Sequence, residues 1–567
     1  MIMNIQNRKG VVFVLSLMVV MVLLVLSSVF IFRAVTEKNL SDRDRKLSQA
    51  LFLGESGGNS GLERLDTLIN TYMLNTVNAT NPSTVSTKAG TYVTNGDGLG
   101  FLNEFVQNGG VAQLPVSGGQ ATYTQAATSA GGGTYQFTIK IMEKSDPITV
   151  SPSIWDFLYY YRIEATGIMG NIPRDFILSG DFTVRVQKDN FAKYALFTNA
   201  QTLPSGTNVW FTNKTNFAGP LHTNGRYNIA FNPSGVFDGA VTQHDLLARF
   251  YNNGSSVSLD DDNNGTIDVP TFNTSFTRNV ATITLSSSVQ QSDMQNQASG
   301  NTTISTDGIY VPNNGSALTG GIYVHGDSTV SLAVSGTNSV YTIVQGSTTK
   351  TITANPSANT TQIVTSGGGG TVTYSGLPKG IDGLGTLIYA HGNITSLSGT
   401  VQQNTEVTIS ANNDVVIQNN LTYENYTAAV GTPGTVGYTP PTAENTDNLL
   451  GIVSWAGNVR VGSSAPNNVN IHASILAKSG YFQVDNYNSG SPRGTATVLG
   501  GVITNYYGAF GTFNGSTGAA VSGYGRNFVY DTRMEDYKSP PYFPTLTTFV
   551  AFTNDIADKI AWQEGDL

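Results

Sequence analysis

An α+β start followed by an all-β body is the fold class that this 567-residue chain predicts. A long amino-terminal helix accompanies an antiparallel sheet, and a β-solenoid of the parallel β-helix kind follows. Three observations predict it. Residues 11–32 are an unbroken apolar run, and no proline interrupts the helical character beyond it until Pro82. Residues 135–141, 158–165 and 181–186 alternate apolar with polar side chains, the period of a sheet covered on one face. After residue 190 a short apolar strand and a Gly/Asn turn recur about every 22 residues.

The helix comes first. At about 1.5 Å per residue the apolar run spans roughly 33 Å, enough to cross the hydrocarbon core of a bilayer. A cleaved secretory signal has a shorter apolar core and a small-residue cleavage site. Here Arg33, Glu37 and Lys38 follow the run directly, so the segment is expected to be retained. Leu40, Leu47 and Leu51 then recur at multiples of three to four residues among Asp42, Arg43, Asp44, Arg45 and Lys46, an amphipathic pattern with a wet face. Asp42 and Lys46 are placed for a helical ion pair. Gly54, Gly57, Gly58 and Gly61 are expected to weaken or bend the helix, at about 1 kcal/mol each relative to Ala. Leu62, Leu65, Leu68, Ile69 and Tyr72 restore the spacing.

Composition bounds the rest. Charged residues make up 12% of the chain, Tyr and Phe number 26 each, and Cys is absent. Disulfides, thiolate metal sites and a cysteine nucleophile are therefore excluded. The net charge of −9 argues against a nucleic-acid partner.

Arg8, Lys9 and Gly10 followed by Val11, Val12, Phe13, Val14 and Leu15 resemble the class III signal of type IV pilins and type II secretion pseudopilins. Asp42, Arg43, Gln49, Ala50, Glu55 and residues 62–65 are similar to PilX-type minor pilins. The resemblance implies cleavage by a prepilin peptidase between Gly10 and Val11 and methylation of the new amino group. It also implies that the helix leaves the inner membrane to pack with other pilin-like subunits. Major pilins carry an aromatic residue first after the cut and a glutamate fifth, where this chain has Val11 and Leu15. That glutamate offsets a buried terminal amine, and some tip-located minor pseudopilins lack it. The departure favours a minor or capping subunit.

These elements divide the chain into a leader (1–10), a transmembrane, pilin-like helix (11–75), a pilin-like antiparallel β domain (76–190), a β-helix-like body (191–535) and a carboxy-terminal tail (536–567). Within 76–120, residues 101–105 are the one short helix candidate. In the body, the phrase at 321–327 (GIYVHGD) returns at 387–393 (LIYAHGN), and looser versions stand at 408–414, 451–458 and 474–480. Ile388 to Ile409 is 21 residues and Ile452 to Ile475 is 23, the spacing of stacked rungs. The Thr/Val-rich stretch 328–374 reads as hairpins inserted between rungs, near 328–380. A β-sandwich body is the alternative. Residues 191–198, 219–225, 447–451, 486–494, 511–514, 524–531 and 540–544 resemble a family of large bacterial envelope proteins that join a PilX-like start to a β-rich body, a family of unassigned activity.

For chemistry, Asp260, Asp262, Asn264 and Asp268 occupy positions one, three, five and nine of a calcium loop, with Gly265 at the turn and Thr266 offering its carbonyl. Position twelve is Thr271 in place of the bidentate Glu, and an ordinary acidic turn is the other reading. Calcium is the one cofactor the sequence suggests. His222, His244, His325, His391 and His472 show no metal-binding spacing, and His325 and His391 share the repeated phrase beside a turn. Asp327, Asp382 and Asp414 are the acids that a polysaccharide-cleaving β-helix would need to converge. Trp155, Tyr159, Tyr160, Tyr161 and Trp455 are candidates for contacting a glycan, with core packing as the competing role. Phosphate-binding and nucleophile-elbow motifs are absent, and catalytic residues are not assigned.

The expected function is a non-enzymatic minor pilin or pseudopilin, anchored in the inner membrane and displaying its body outside the cell for adhesion or a filament-tip role. Its partners would be pilin-like subunits, the prepilin peptidase and a glycan or protein receptor. A single-span envelope scaffold is the alternative, and a surface carbohydrate-active β-helix enzyme ranks third.

Overall fold

A computed structural model of the chain describes residues 6–108, 114–211, 215–230, 235–252, 255–259, 271–285, 287–367, 369–433, 435–514, 519–535, 538–553, 556 and 561–565. It is a long amino-terminal helix followed by a large β-rich body. Two compact units divide it: Met1–Gln187 with Phe549–Leu567, and Lys188–Thr548.

In the first unit the helix Gln6–Asp66 runs without a break into a π-helical stretch, Thr67–Met73, and a last helical piece, Leu74–Ala79. The glycine cluster does not interrupt it. Those glycines are the packing face. A Cβ on Gly57 would sit 3.2 Å from Ala165 and Tyr135, and one on Gly61 would sit 2.5 Å from Ile163. Across from them Gly167 lets the strand backbone approach the helix backbone at Ala50, Leu53 and Gly54. The seam therefore runs through Ala50, Leu53, Gly57, Gly61, Leu65 and Leu68, all buried, while Leu40 stays exposed. The helical cost of glycine is offset by close backbone contact.

Two further helices follow, Pro82–Asn95 and Gly98–Asn108, where the sequence offered only residues 101–105. The Asn81 side chain caps the first by accepting from the Ser83 amide, Pro82 opens it, and Gly96 in the left-handed region closes it. The sheet is antiparallel, in the order Val116–Ser117, Gln120–Ala130, Gly133–Glu143, Ile154–Met169, Ile172–Asn190, with Thr545–Thr553 beside the last. Ala561–Gly565 also pairs with Ile172–Asn190. Chain that the sequence suggested was a tail thus supplies strands to this sheet. Phe101 stacks on Phe157 at 3.8 Å between ring centroids, inside a core that includes Ile139, Tyr159, Ile163 and Val184.

In the second unit, one sheet orders its strands Ser275–Thr277, Ala240–Gln243, Leu221–Thr223, Leu196–Ala200, Val502–Tyr506, Ser474–Ala477, Leu449–Ser454, Glu406–Ala411, Thr386–Ala390, Ile322–His325 and Gly308–Tyr310. Every pair is parallel except the last. The repeated phrase supplies neighbours: Ile322, Ile388, Ile409, Ile452 and Ile475 lie in register, and the column continues through Val502, Leu196, Leu221, Val241 and Phe276. Each fully buried aliphatic side chain contributes about 1.5–3 kcal/mol. The chain enters this stack in its middle, at Leu196–Ala200. It builds outward to Ser275–Thr277 and restarts at the far end. From there it winds back until Val502–Tyr506 pairs with the first strand.

A second sheet lies over the same core. Five antiparallel strands between Ser328–Ser335 and Thr371–Ser375 lead into a parallel run: Ile394–Val401, Val415–Tyr423, Asn470–His472, Pro492–Leu499 and Ala520–Val529. Strands of the first sheet such as Thr386–Ala390 and Leu449–Ser454 are buried at every residue, as parallel strands covered on both faces must be. The outer cover includes the helix Ser288–Ser299, whose Gln291 donates to Tyr389 Oη at 3.3 Å and Asn412 Oδ1 at 2.6 Å. Residues 540–543 add to it: Thr408 donates to the Pro541 carbonyl, and Phe543 packs beside Gly451.

Candidate functional site

The amino-terminal half of the long helix is the most conspicuous surface of the protein. Its large apolar side chains from Val11 to Val35 keep 48–75% of their area exposed. Polar side chains there turn inward on the backbone: Ser16, Ser28 and Thr36 donate to the carbonyls of Phe13, Val25 and Phe32 at 2.7–2.8 Å. That is how a hydroxyl is satisfied where water is absent. Among the described residues, one helix is long and apolar enough to cross a membrane. Gly10 and Val11 sit within it, and a side chain on Gly10 would meet no neighbour. On the charged stretch Asp42 pairs with Arg45 at 3.3 Å, one residue short of the expected Lys46.

The five calcium-loop residues, Asp260, Asp262, Asn264, Thr266 and Asp268, lie outside the described residues. Among the described residues, no three His, Cys, Asp or Glu side chains are grouped to hold a metal ion.

Asp327 and Asp414 do come into one column, at the corner between the two sheets of the second unit. Asp327 Oδ1 accepts the Asn393 amide at 2.8 Å, and Asn393 Oδ1 accepts the Asp414 amide at 3.1 Å. Asp414 Oδ1 accepts the Asn458 amide at 2.8 Å, and Asn458 Oδ1 accepts the Tyr481 amide at 3.2 Å. Each of these side chains thus caps the next segment in the column, satisfying amides that leave the strand ladders. Arg460 bridges Asp414 at 3.1 Å and Asp485 at 2.8 Å. Asp382 sits in a separate turn, where its amide donates to Gln297. Beside the column His325 stacks on His391, with ring centroids 5.0 Å apart and planes 6° from parallel, and its Nδ1 lies 2.8 Å from Asp307.

Of the remaining histidines, His222 and His472 are buried and His244 is exposed. His222 is buried between Thr242 and Asn224, each 2.9 Å from one of its ring nitrogens. The His244 Nδ1 lies 2.8 Å from the Val280 carbonyl. His472 is fully buried; its Nδ1 accepts the Tyr423 amide, and burial reinforced by nearby Arg533 pushes its pKa down to about 3. Of the aromatic candidates, Trp155, Tyr159, Tyr161 and Trp455 are core residues, and burial raises the Tyr159 phenol well above its ordinary range. Tyr160 is exposed, with the Lys144 ammonium 5.3 Å from its ring centre.

One hollow escaped the sequence. A shallow groove of about 580 Å³ in the first unit is lined by Thr71, Tyr72, Thr76, Thr84, Lys88 and Glu104, the last two ion-paired. Its walls are the end of the long helix and the two helices Pro82–Asn95 and Gly98–Asn108, of which the sequence offered only residues 101–105. The capping trio of Asn81, Pro82 and Gly96 was the signal that could have revealed them.

A family model described as Domain of unknown function (DUF4900) matches residues 156–245. The match runs from the strand Ile154–Met169 through the early parallel strands of the second unit. No curated protein and no solved structure matches the chain.

Proposed function

We propose that the protein is a minor pilin-like or pseudopilin-like structural subunit, held in the inner membrane by residues 11–32 before it joins a filament or secretion assembly. The exposed apolar half of a helix whose other half is packed on an antiparallel sheet carries this reading. A rod fixed to a folded head by a glycine seam can move between lipid and neighbouring rods without disturbing the head. Prepilin peptidase and other pilin-like subunits are the partners this requires. The second unit is read as a parallel β-helix, supported by two parallel ladders joined through corner side chains around one core. Its role is display outside the cell, toward a glycan or protein receptor. The non-enzymatic reading draws support from the corner acids, which are occupied with backbone amides and Arg460.

Amino-terminal analysis of protein recovered from cells with an active prepilin peptidase is the test. Val11 as the first residue, methylated, is the expected result. A chain that still begins at Met1 and never co-purifies with other pilin-like subunits refutes the proposal in favour of a single-span scaffold.

A further inference from the structure

The core of the first unit contains a segment delivered very late. The chain leaves this unit after Gln187 and returns at Phe549, so 361 residues (548 − 188 + 1) of body intervene. What returns is built in deeply. Phe549, Ala551 and Ile556 are buried in the first-unit core. The Phe549 ring lies 5.8 Å from that of Trp155. The Ala551 amide donates to Asn78 Oδ1 at 2.7 Å, and the Thr553 hydroxyl donates to Asn70 Oδ1 at 3.0 Å. Tyr161 Oη donates to the Ile556 carbonyl at 3.1 Å. The same segment borders the strand Ile172–Asn190, whose other side is fully paired with Ile154–Met169. Ala561–Gly565, equally late in the chain, pairs with residues 175–179 of the same strand, so a chain ending at Thr548 loses that pairing and most of Thr545–Thr553, while Trp155 loses the Phe549 ring and Tyr161 the Ile556 carbonyl. Asn70 in the π-helical stretch and Asn78 in Leu74–Ala79 each also lose one hydrogen-bond partner.

From this we infer that residues 549–553 and the strand Ala561–Gly565 complete the first sheet: the helix-bearing unit closes only in chains that have finished the body. The segment acts as an internal checkpoint on chain completeness. A truncated chain keeps its apolar helix but lacks a closed head to carry it. The consequence for filament entry rests on the function proposed above; the closure itself does not.

The test is hydrogen exchange read by mass spectrometry in detergent micelles, comparing the full chain with a chain ending at Thr548. Residues 172–187 of the shortened chain should exchange at least ~10-fold faster, while residues 386–411 of the body keep their protection. A synthetic peptide of residues 549–567 should restore the slow exchange. Unchanged protection at 172–187 overturns the inference, as does failure of the peptide to restore it. Loss of protection in both regions overturns it too, because the segment would then support the whole molecule. Exchange is read on purified protein, so it stays separate from whether Val11 is the mature first residue.

Discussion

Replacing Gly167 with alanine adds one methyl group at the tightest point between helix and sheet in the first unit. That methyl would lie 2.7 Å from the Leu53 carbonyl carbon and nearer still to the Ala50 oxygen and the Gly54 nitrogen. All three are backbone atoms of a helix pinned along Gly57, Gly58 and Gly61, so no flexible side chain can yield. The cost belongs at the upper end of the overpacking range, about 3 kcal/mol. Relief of glycine's entropy in a strand returns about 0.5–1 kcal/mol, which leaves a net loss of about 2 kcal/mol. For a unit of 206 residues (187 + 19), that lowers the melting temperature by about 4–8 °C. Region-resolved hydrogen exchange during a thermal ramp isolates the first unit from the body. Gly90→Ala is the internal reference, because it lies inside the helix Pro82–Asn95 with open space around it. It should stabilise by about 1 kcal/mol. If Gly167→Ala melts at or above the native temperature, the glycine seam is not what sets the helix against the sheet.

Three other outcomes follow from the second unit. Asp531→Ala strands the buried Arg533 guanidinium, which in the native protein donates two bonds to that carboxylate and others to the Thr446 and Asn448 carbonyls. The loss should be about 3 kcal/mol in urea denaturation of the body, and a loss under 1 kcal/mol would count against the buried pair. Because folding keeps His472 neutral while the unfolded imidazole titrates near 6.5, this residue favours folding above that pH. Its contribution is lost as pH falls toward 3, by up to about 1.4 kcal/mol per pH unit. His472→Asn keeps an acceptor for the Tyr423 amide and should flatten the stability curve between pH 7 and 4; parallel curves would refute the assignment. At the corner, Asp414→Ala removes the acceptor for the Asn458 amide and a partner of Arg460, at about 2 kcal/mol, whereas Asp414→Asn keeps the acceptor and should cost about half as much. Equal losses in the two variants would show that the column is held by charge alone.

The long apolar helix and the β-rich character of the body were legible because both rest on simple periodicity. The isoleucine phrases were legible for the same reason, since in-register stacking places like side chains over one another. What stayed hidden is order in space. Nothing in the local sequence announces that Leu196–Ala200 lies beside Val502–Tyr506, or that Thr545–Thr553 belongs to the first sheet. The helix Pro82–Asn95 was obscured by Thr and Ser, whose weak propensity is overridden by good caps and tertiary cover. The glycine cluster was read through propensity alone, although its spacing on the buried face marks a close-packing seam. Of the candidate site, the corner acids were found, but their hydrogen-bonding employment was visible only once the parallel strands were side by side.

Mid-stack entry also sets a hazard during synthesis. Leu196–Ala200 emerges 302 residues (502 − 200) before the strand that will seal its second side, so its free amides and carbonyls must wait unsatisfied. A polypeptide arrested between residues 478 and 501 carries that raw border, together with the matching one on Ser474–Ala477. Two such arrested molecules can each supply what the other lacks, which makes strand exchange between copies the natural misfolding route for this topology.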